Sequence, residues 1–583
     1  MTGAIVEAGR TRFRVWAPRP KSIELEIVAP QARRVAMKAA GDGWFEAVVD
    51  GAGKGTRYHY LLDGERRRPD PASRAQPEGV HGPSEVDDPR SFAWQHPPRP
   101  RSTRELAIYE LHVGTFTPEG TFDAATAQLD RLVDLGITAV EILPVASFSG
   151  ERNWGYDGVD WFAPQQSYGG PDGLRRLVDA CHARGLSFIL DVVYNHFGPE
   201  GNYVGEFASY FTAKYHTPWG DAIDYEGAPP IRQLVLDNAR MWFEDYRVDG
   251  LRLDAVHAIW DQSPRHIVAD VTSLAHERGR FIIAESDLGD VKVIKEQPAG
   301  WGCDAQWSDD FHHALHAVVT GENKAYYADF GAVSQLATAI TEGFVYQGQH
   351  SPARKQPFGT PSRDLPAERF VVCAQNHDQV GNRAVGERLA HVQPGCEYAV
   401  AATVLLAPAV PMIFMGEEHG DPAPFQYFTD HRDAELAQAV RDGRRREFAA
   451  FHASAVPDPQ AAGTRDRSVI DLGLGDVGRH AGVRRWYRAL LQLRRERPEL
   501  RALDKTRVTT VVDDERGGLV VIHAGTLAVA LSLRGRPVEL TLPDGSWRIL
   551  HDAGDERFGH FAAARLDGNV IHVPSFGAVV AIA

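Results

Sequence analysis

At 583 residues the chain is too long for one ordinary hydrophobic core, so several domains are expected. Its composition, 43% hydrophobic and 24% charged, is that of a soluble globular protein, and a net charge of −15 argues against nucleic acid or an anionic membrane surface as partner. No apolar run approaches the ~20 residues that a membrane-spanning helix needs.

The first fourteen residues do not read as a secretory signal. Cys181, Cys303, Cys373 and Cys396 are far apart and form no C-x-x-C pattern. They are expected to be buried free thiols of a cytoplasmic protein, neither zinc ligands nor disulfides.

Residues 1–92 read as a β-sandwich. Phe13–Trp16, Ile23–Val28 and Tyr58–Leu62 are short alternating runs, with turns at Asp42-Gly43, Asp50-Gly51 and Asp63-Gly64. The Pro-, Gly- and charge-rich stretch from Arg68 to Arg101 reads as a connection lying over neighbouring surface, with the linker itself at 93–103.

From residue 104 to about 503, apolar strands alternate with amphipathic helices. The strand candidates are Leu106–Val113, Thr138–Pro144, Ser187–His196, Gly250–His257, Phe281–Asp287, Cys303–Trp307, Arg369–Asp378 and Val410–Glu417. Leu174, Leu177, Val178 and Cys181 fall at i, i+3, i+4 and i+7, with Gly185 placed to end the helix. Leu129, Leu132, Val133 and Gly136 repeat the spacing briefly. Ile231, Leu234, Val235, Asn238, Met241 and Trp242 repeat it with one polar member. Eight strands, each followed by a crossover, predict a closed (β/α)8 TIM barrel with a short insert at about 197–229. An open doubly wound sheet is the runner-up, but no Gly-rich phosphate loop follows the first strand. Residues 504–583 read as a small C-terminal β-sandwich.

Within Gly250–His257, Arg252 and Asp254 alternate with Leu251 and Leu253, which places both polar side chains on one face of a strand. A guanidinium beside a carboxylate favours the anion, the form that attacks as a nucleophile. In isolation such a pair is more often a structural ion pair. Other strand ends change the balance: Asp191 to His196, Glu285, and Gln375-Asn376-His377-Asp378. Several carboxylates at the C-terminal ends of buried barrel strands are costly unless used, and paired carboxylates in different protonation states are the apparatus of glycoside hydrolysis. The His and Cys clusters of a transition-metal cage are missing.

Asp191–His196, Gly250–His257, the Glu285 segment and Asn376–Asp378 resemble, in order, the four signature regions of the α-amylase superfamily. The resemblance implies that Asp254 is the nucleophile, Glu285 the acid/base and Asp378 the transition-state stabiliser. It also implies that Arg252, His196 and His377 hold the sugar beside the broken bond, with Tyr156 as the stacking aromatic and Asp157 its neighbour. Trp154 and Trp219 are candidate sugar platforms, though loop tryptophans often only pack. Asn195 sits where amylases often place a calcium ligand. No metal and no cofactor is expected.

Within the superfamily the chain is similar to the maltooligosyltrehalose trehalohydrolases. The segments concerned are Pro69–Arg74, Gly79–Ser84, Gly343–Gly348 and Tyr427–His431, with Asn376-His377-Asp378-Gln379 in the pattern of that family. Gly289 departs from it, where Asn is expected. The likeness implies retaining hydrolysis of the α-1,4 bond next to a terminal trehalose, on maltooligosyl trehalose and related α-glucans. It also implies a functional pairing with the synthase that makes this substrate. A glycogen-branching transferase and a non-enzymatic transporter subunit are the rivals. The latter lacks part of the acidic trio and carries a membrane segment. Glu417 and Glu418 read as pocket lining or solvated loop, and Arg441, Arg444, Arg445 and Arg446 as a solvated helix face.

Overall fold

The computed structural model describes residues 1–448, 456–559 and 562–583. Its centre is a closed, parallel eight-stranded barrel. The barrel strands are β1 (Ile108–Leu111), β2 (Ala139–Ile142), β3 (Ser187–Val192), β4 (Gly250–Leu253), β5 (Phe281–Ala284), β6 (Ala305–Trp307), β7 (Phe370–Val372) and β8 (Val410–Phe414).

Every predicted barrel strand exists, but each is shorter than its apolar run. Two shortfalls matter. β4 stops at Leu253, so Asp254 lies just past the strand. β7 stops at Val372, and Asp378 is carried by a separate short helix, His377–Gly381, whose N-cap is the Asn376 side chain. An Asn six residues upstream of Asn382 can thus outcompete strand continuation by accepting the Gln379 N–H at 3.1 Å.

Alternation divides the barrel interior into layers. Inward-facing Ile108, Ala139, Ile189, Phe281, Ile283, Ala305, Trp307, Val371, Cys373, Val410 and Met412 form one apolar cluster. Two residues further along their strands, the same faces carry Glu110, Glu141 and Asp191, all buried. Pairing register puts Glu110 opposite Glu141, and Asp191 opposite Arg252. The barrel is therefore plugged with apolar side chains below and floored with charge above.

Helices cover the outside. Leu174, Leu177, Val178 and Cys181 are buried on Gly170–Ala183. On Pro229–Glu244 the one polar member of the stripe, Asn238, is also buried. It accepts from the Tyr194 hydroxyl at 2.6 Å and the Trp242 indole at 2.9 Å, and donates to the Trp161 carbonyl at 2.8 Å. A fully bonded amide satisfies a core position, which an apolar pattern alone does not anticipate.

The N-terminal part has two facing sheets, one containing Gly3–Glu7, Arg10–Trp16 and Trp44–Asp50, the other Ile23–Ala29 and Arg57–Leu62. The stretch after Arg68 lies against its neighbours and is held there by buried polar contacts. Asp70 is buried and accepts from the Tyr58 and Tyr60 hydroxyls at 2.7 and 3.1 Å, while Arg74 pairs with Asp245 on the barrel at 2.7 Å. Two further sheets close the C-terminal part. One is five-stranded and includes Gly518–His523, Leu527–Ser532 and Ala578–Ile582; the other is three-stranded.

Candidate active site

Arg252 is the hub. It is fully buried, with its guanidinium over the face of Trp307 at 4.1 Å. Nη1 donates to Asp191 Oδ2 at 2.7 Å and to Asp254 Oδ1 at 2.9 Å, and Nη2 donates to Glu285 Oε2 at 2.6 Å. One planar fork thus binds three carboxylates from β3, β4 and β5, a geometry that lysine cannot reproduce.

The backbone reinforces it. Ala255, directly after Asp254, adopts a left-handed conformation with φ 40°, uncommon for a residue other than Gly. That turn aims its N–H at Glu285 Oε2, 2.9 Å away. Both hydrogen bonds to Glu285 fall on Oε2.

His196 and Tyr156 close the wall. Asn195 donates from Nδ2 to Asp254 Oδ2 at 2.7 Å, and its Oδ1 lies 2.6 Å from His196 Nδ1. His196 also meets the Tyr156 carbonyl at 3.0 Å and stacks on Trp219 with ring centres 4.4 Å apart. Burial lowers its pKa, so it is neutral at neutral pH. The Tyr156 hydroxyl donates to Asp191 Oδ2 at 2.6 Å and lies 2.7 Å from His377 Nε2, with the two rings stacked.

His377 Nδ1 donates to Glu110 Oε1 at 2.6 Å. Burial opposes charging this ring, but Asp378 and Glu110 outweigh it and push the pKa up to about 9. Asp378 Oδ1 lies 3.5 Å from His377 Nε2. Burial raises its carboxyl above the usual range, with His377 opposing and Glu285 adding. Burial likewise raises Asp191 to about 7, against the pull of Arg252.

Of the residues singled out in the sequence, Asp254, Glu285, Asp378, Arg252, Tyr156, His196 and His377 come together. Asp157, partly exposed beside Tyr156, accepts from Asn153 at 2.6 Å. Gln379 is partly exposed on the Asp378 helix, its amide beside Cys373. Trp154 is not a platform: it is 5% exposed, stacked on Phe425 and bonded to the Gln426 carbonyl at 3.0 Å. Trp219, by contrast, is 49% exposed on the hairpin Phe211–Thr217/Gly220–Ile223.

Glu417 and Glu418 neither line the cleft nor meet solvent. They are buried behind β8, where Tyr487 donates to Glu417 at 3.0 Å and Tyr109 to Glu418 at 3.2 Å. Arg444 leaves the solvated face and donates to the Gly381 carbonyl at 2.7 Å, while Arg445 and Arg446 are exposed. Gly289 has φ +57°, and a Cβ there would meet the Phe358 ring at 2.8 Å. Close approach of the hairpin Gln347–Ser351/Gln356–Gly359 accounts for Gly in place of Asn. Sequence reasoning marked Asp191 at a strand end without giving it a partner, and missed Asn195 as a partner of Asp254 and Glu110 and Trp307 as contributors. Inward alternation on β1, β3 and β6 was the available signal.

The arrangement offers three carboxyls on one guanidinium, a fourth carboxyl beside a cationic imidazole, and aromatic faces at an open rim. A family model of the alpha amylase catalytic domain matches residues 75–224, and one of carbohydrate-binding module 48 (isoamylase N-terminal domain) matches residues 2–76. A crystallised protein of Salmonella typhimurium, provisionally described as an alpha amylase, superposes with TM-score 0.91 at 38% identity, covering 100% of this chain and 99% of its own. The malto-oligosyltrehalose trehalohydrolase of Arthrobacter ramosus is 45% identical over 96% of this chain and 98% of its own length. That of Rhizobium sp. is 42% identical over 98% of each. With near-complete coverage of these relatives, the chain belongs to the malto-oligosyltrehalose trehalohydrolase family, within the α-amylase superfamily.

Proposed function

We propose that this protein hydrolyses the α-1,4-glucosidic bond next to the terminal trehalose of maltooligosyl trehalose, releasing trehalose with retained configuration. The observation that carries the chemistry is Arg252 bonded at once to Asp254 and Glu285. Two carboxyls leaning on one guanidinium suit the close spacing, roughly 5 to 5.5 Å, of retaining glycosidases. Asp254 attacks the anomeric carbon while Glu285 protonates the leaving oxygen. Glu285 then takes a proton from water, which breaks the glycosyl ester. With Oε2 occupied by Arg252 and Ala255, the Glu285 proton is delivered from Oε1. Asp378 offsets the positive charge that develops on the ring. Tyr156 and His196 hold the sugar, with Asp157 and Gln379 at its margin.

The family places trehalose as the leaving unit, and the rim supports a disaccharide beyond the cleavage point. Trp219, Trp260, Leu288 and Tyr326 are exposed large apolar groups; two of them follow β4 and β5, and Trp219 stacks on His196. Aromatic faces of this kind suit sugar rings. The substrate implies a partner enzyme that converts the reducing end of an α-glucan into a trehalose unit, the maltooligosyltrehalose synthase reaction. The four buried free thiols suit a reducing compartment such as the cytoplasm. Among the described residues no helix is long and apolar enough to cross a membrane.

Incubation with maltotriosyl trehalose and, separately, with maltopentaose tests the reading. Trehalose plus maltotriose from the first, with slow attack on the second, is expected, and the new reducing end should form as the α-anomer. Branch points in amylose, or equal rates on both oligosaccharides, would overturn it.

A further inference from the structure

Glu110 lies on β1, remote in sequence from the four signature segments, and is 1% exposed. Its two oxygens grip one residue: Oε1 accepts from His377 Nδ1 at 2.6 Å, and Oε2 accepts from the His377 backbone N–H at 3.0 Å. From His377 an unbroken chain of short hydrogen bonds runs through the Tyr156 hydroxyl, Asp191 and Arg252 to both Asp254 and Glu285. Hydrogen-bond direction makes this chain sensitive to the protonation of His377. As an imidazolium, the ring donates from Nδ1 to Glu110 and from Nε2 to the Tyr156 oxygen, and the Tyr156 proton is free to point at Asp191. A neutral ring that still donates to Glu110 has only a lone pair at Nε2. Tyr156 would then donate to the histidine and release Asp191.

Resting on the functional reading above, we propose that Glu110 is a positioning residue for the reaction: it holds His377 as a cation, and through it fixes the Tyr156 ring and the direction of its hydroxyl. The charged and titratable groups facing His377 are Glu110 from β1 and His112 just after it, Glu141 from β2, Tyr156 after β2, Arg252 from β4 and its neighbour Asp378. Burial keeps His112 neutral, with a pKa of about 3, and pushes the Glu141 carboxyl well above the usual carboxylate range, with Glu110 adding. Arg252 repels the cation, and Asp378 and Glu110 are the charges that favour it most. Glu110→Gln removes one of those two charges and leaves one acceptor oxygen for Nδ1, with an NH2 group where Oε2 accepts the His377 backbone N–H.

The test uses the full-length protein turning over maltotriosyl trehalose. Glu110→Gln is expected to lower kcat by about 10- to 100-fold at pH 8, with a smaller change in KM, and to regain activity toward pH 6 as His377 recharges. In a His377→Gln background the same substitution should add no further loss. Spectra of the protein carrying labelled histidine, with the His377 signal assigned by its disappearance in His377→Gln, should show an imidazolium at pH 8 in the wild type and a neutral ring in Glu110→Gln. Unchanged kcat, a loss that is equal at every pH, additive losses in the double variant, or a histidine signal unmoved by the substitution would each overturn the proposal. If Glu110→Gln does not fold, Glu110→Asp takes its place. It keeps the charge, so a wild-type pH profile with lowered kcat is expected, and a kcat equal to wild type would overturn the proposal. A wild type inert on the substrate would instead sink the functional reading and leave the histidine spectra to judge this one.

Discussion

Arg252 illustrates how one side chain can organise three acids. Its two Nη groups satisfy carboxylates that would otherwise be buried unpaired, and each lost contact exposes a carboxylate to a desolvated surrounding. Arg252→Lys is expected to keep the charge but lose the fork. A drop in kcat of about 100-fold or more, measured on maltotriosyl trehalose, is the expected outcome. In the proposed mechanism Asp254→Ala removes the attacking group, and Glu285→Gln removes the proton donor. Each should lower kcat by at least about 10²-fold while the melting temperature stays within a few degrees of wild type. Near-normal rates for either variant would remove that residue from the mechanism. The acids were marked as candidates in the sequence by their place at the ends of apolar strands, and their separate roles are what the resemblance to the α-amylase superfamily implies. Asn195 was not, since an amide after a strand looks alike whether it touches a nucleophile or a backbone carbonyl.

At the scale of the element, the site depends on where strands stop. Asp254 and Glu285 each follow a strand by one residue, whereas Asp378 follows β7 by six and is delivered by a capped helix. Tyr156 is delivered by a loop that only glycine permits. Gly155 has φ +106°, and a Cβ there would fall 2.0 Å from the Pro144 carbonyl oxygen. Gly155→Ala is therefore expected to destabilise the protein by about 1–3 kcal/mol and to raise KM by displacing Tyr156. Thermal unfolding and steady-state kinetics check the two effects separately. Helix and strand identities were legible from periodicity, as on Gly170–Ala183. Their ends were not, because termination is settled by caps and by hydrogen bonds to distant segments.

Across the whole molecule, buried titrating groups give stability a preferred pH. His377 and His419 have pKa values of about 9 when folded: burial opposes this, but Asp378 with Glu110 and Glu418 with Asp421 prevail. Their stabilisation is complete below the unfolded value of about 6.5 and is lost as pH rises through about 9. Burial raises Asp191 and Glu417 to about 7, which also removes stability as pH rises. Burial holds His266, His313 and His523 near 4 and His112 near 3, so these histidines destabilise the fold as pH falls below about 6.5. The melting temperature is expected to peak at about pH 6 to 6.5 and to decline on both sides. A melting temperature that rises steadily from pH 6 to pH 9 would contradict this balance.

Local sequence determined the parts with local causes. The alternation of apolar strands and helical stripes specified a barrel, and acids placed where strands run out marked its reactive end. Only the tertiary structure decided which polar groups share a centre. Trp154 and Trp219 look equivalent along the chain, yet one is stacked in the core against Phe425 and the other stands open beside His196. Glu110 and Glu417 are both buried acids near barrel strands, and only Glu110 grips the catalytic region, because register places it across from Glu141 and beneath His377. Burial, register and hydrogen-bond partners join residues hundreds of positions apart, and no pattern along the chain encodes such meetings.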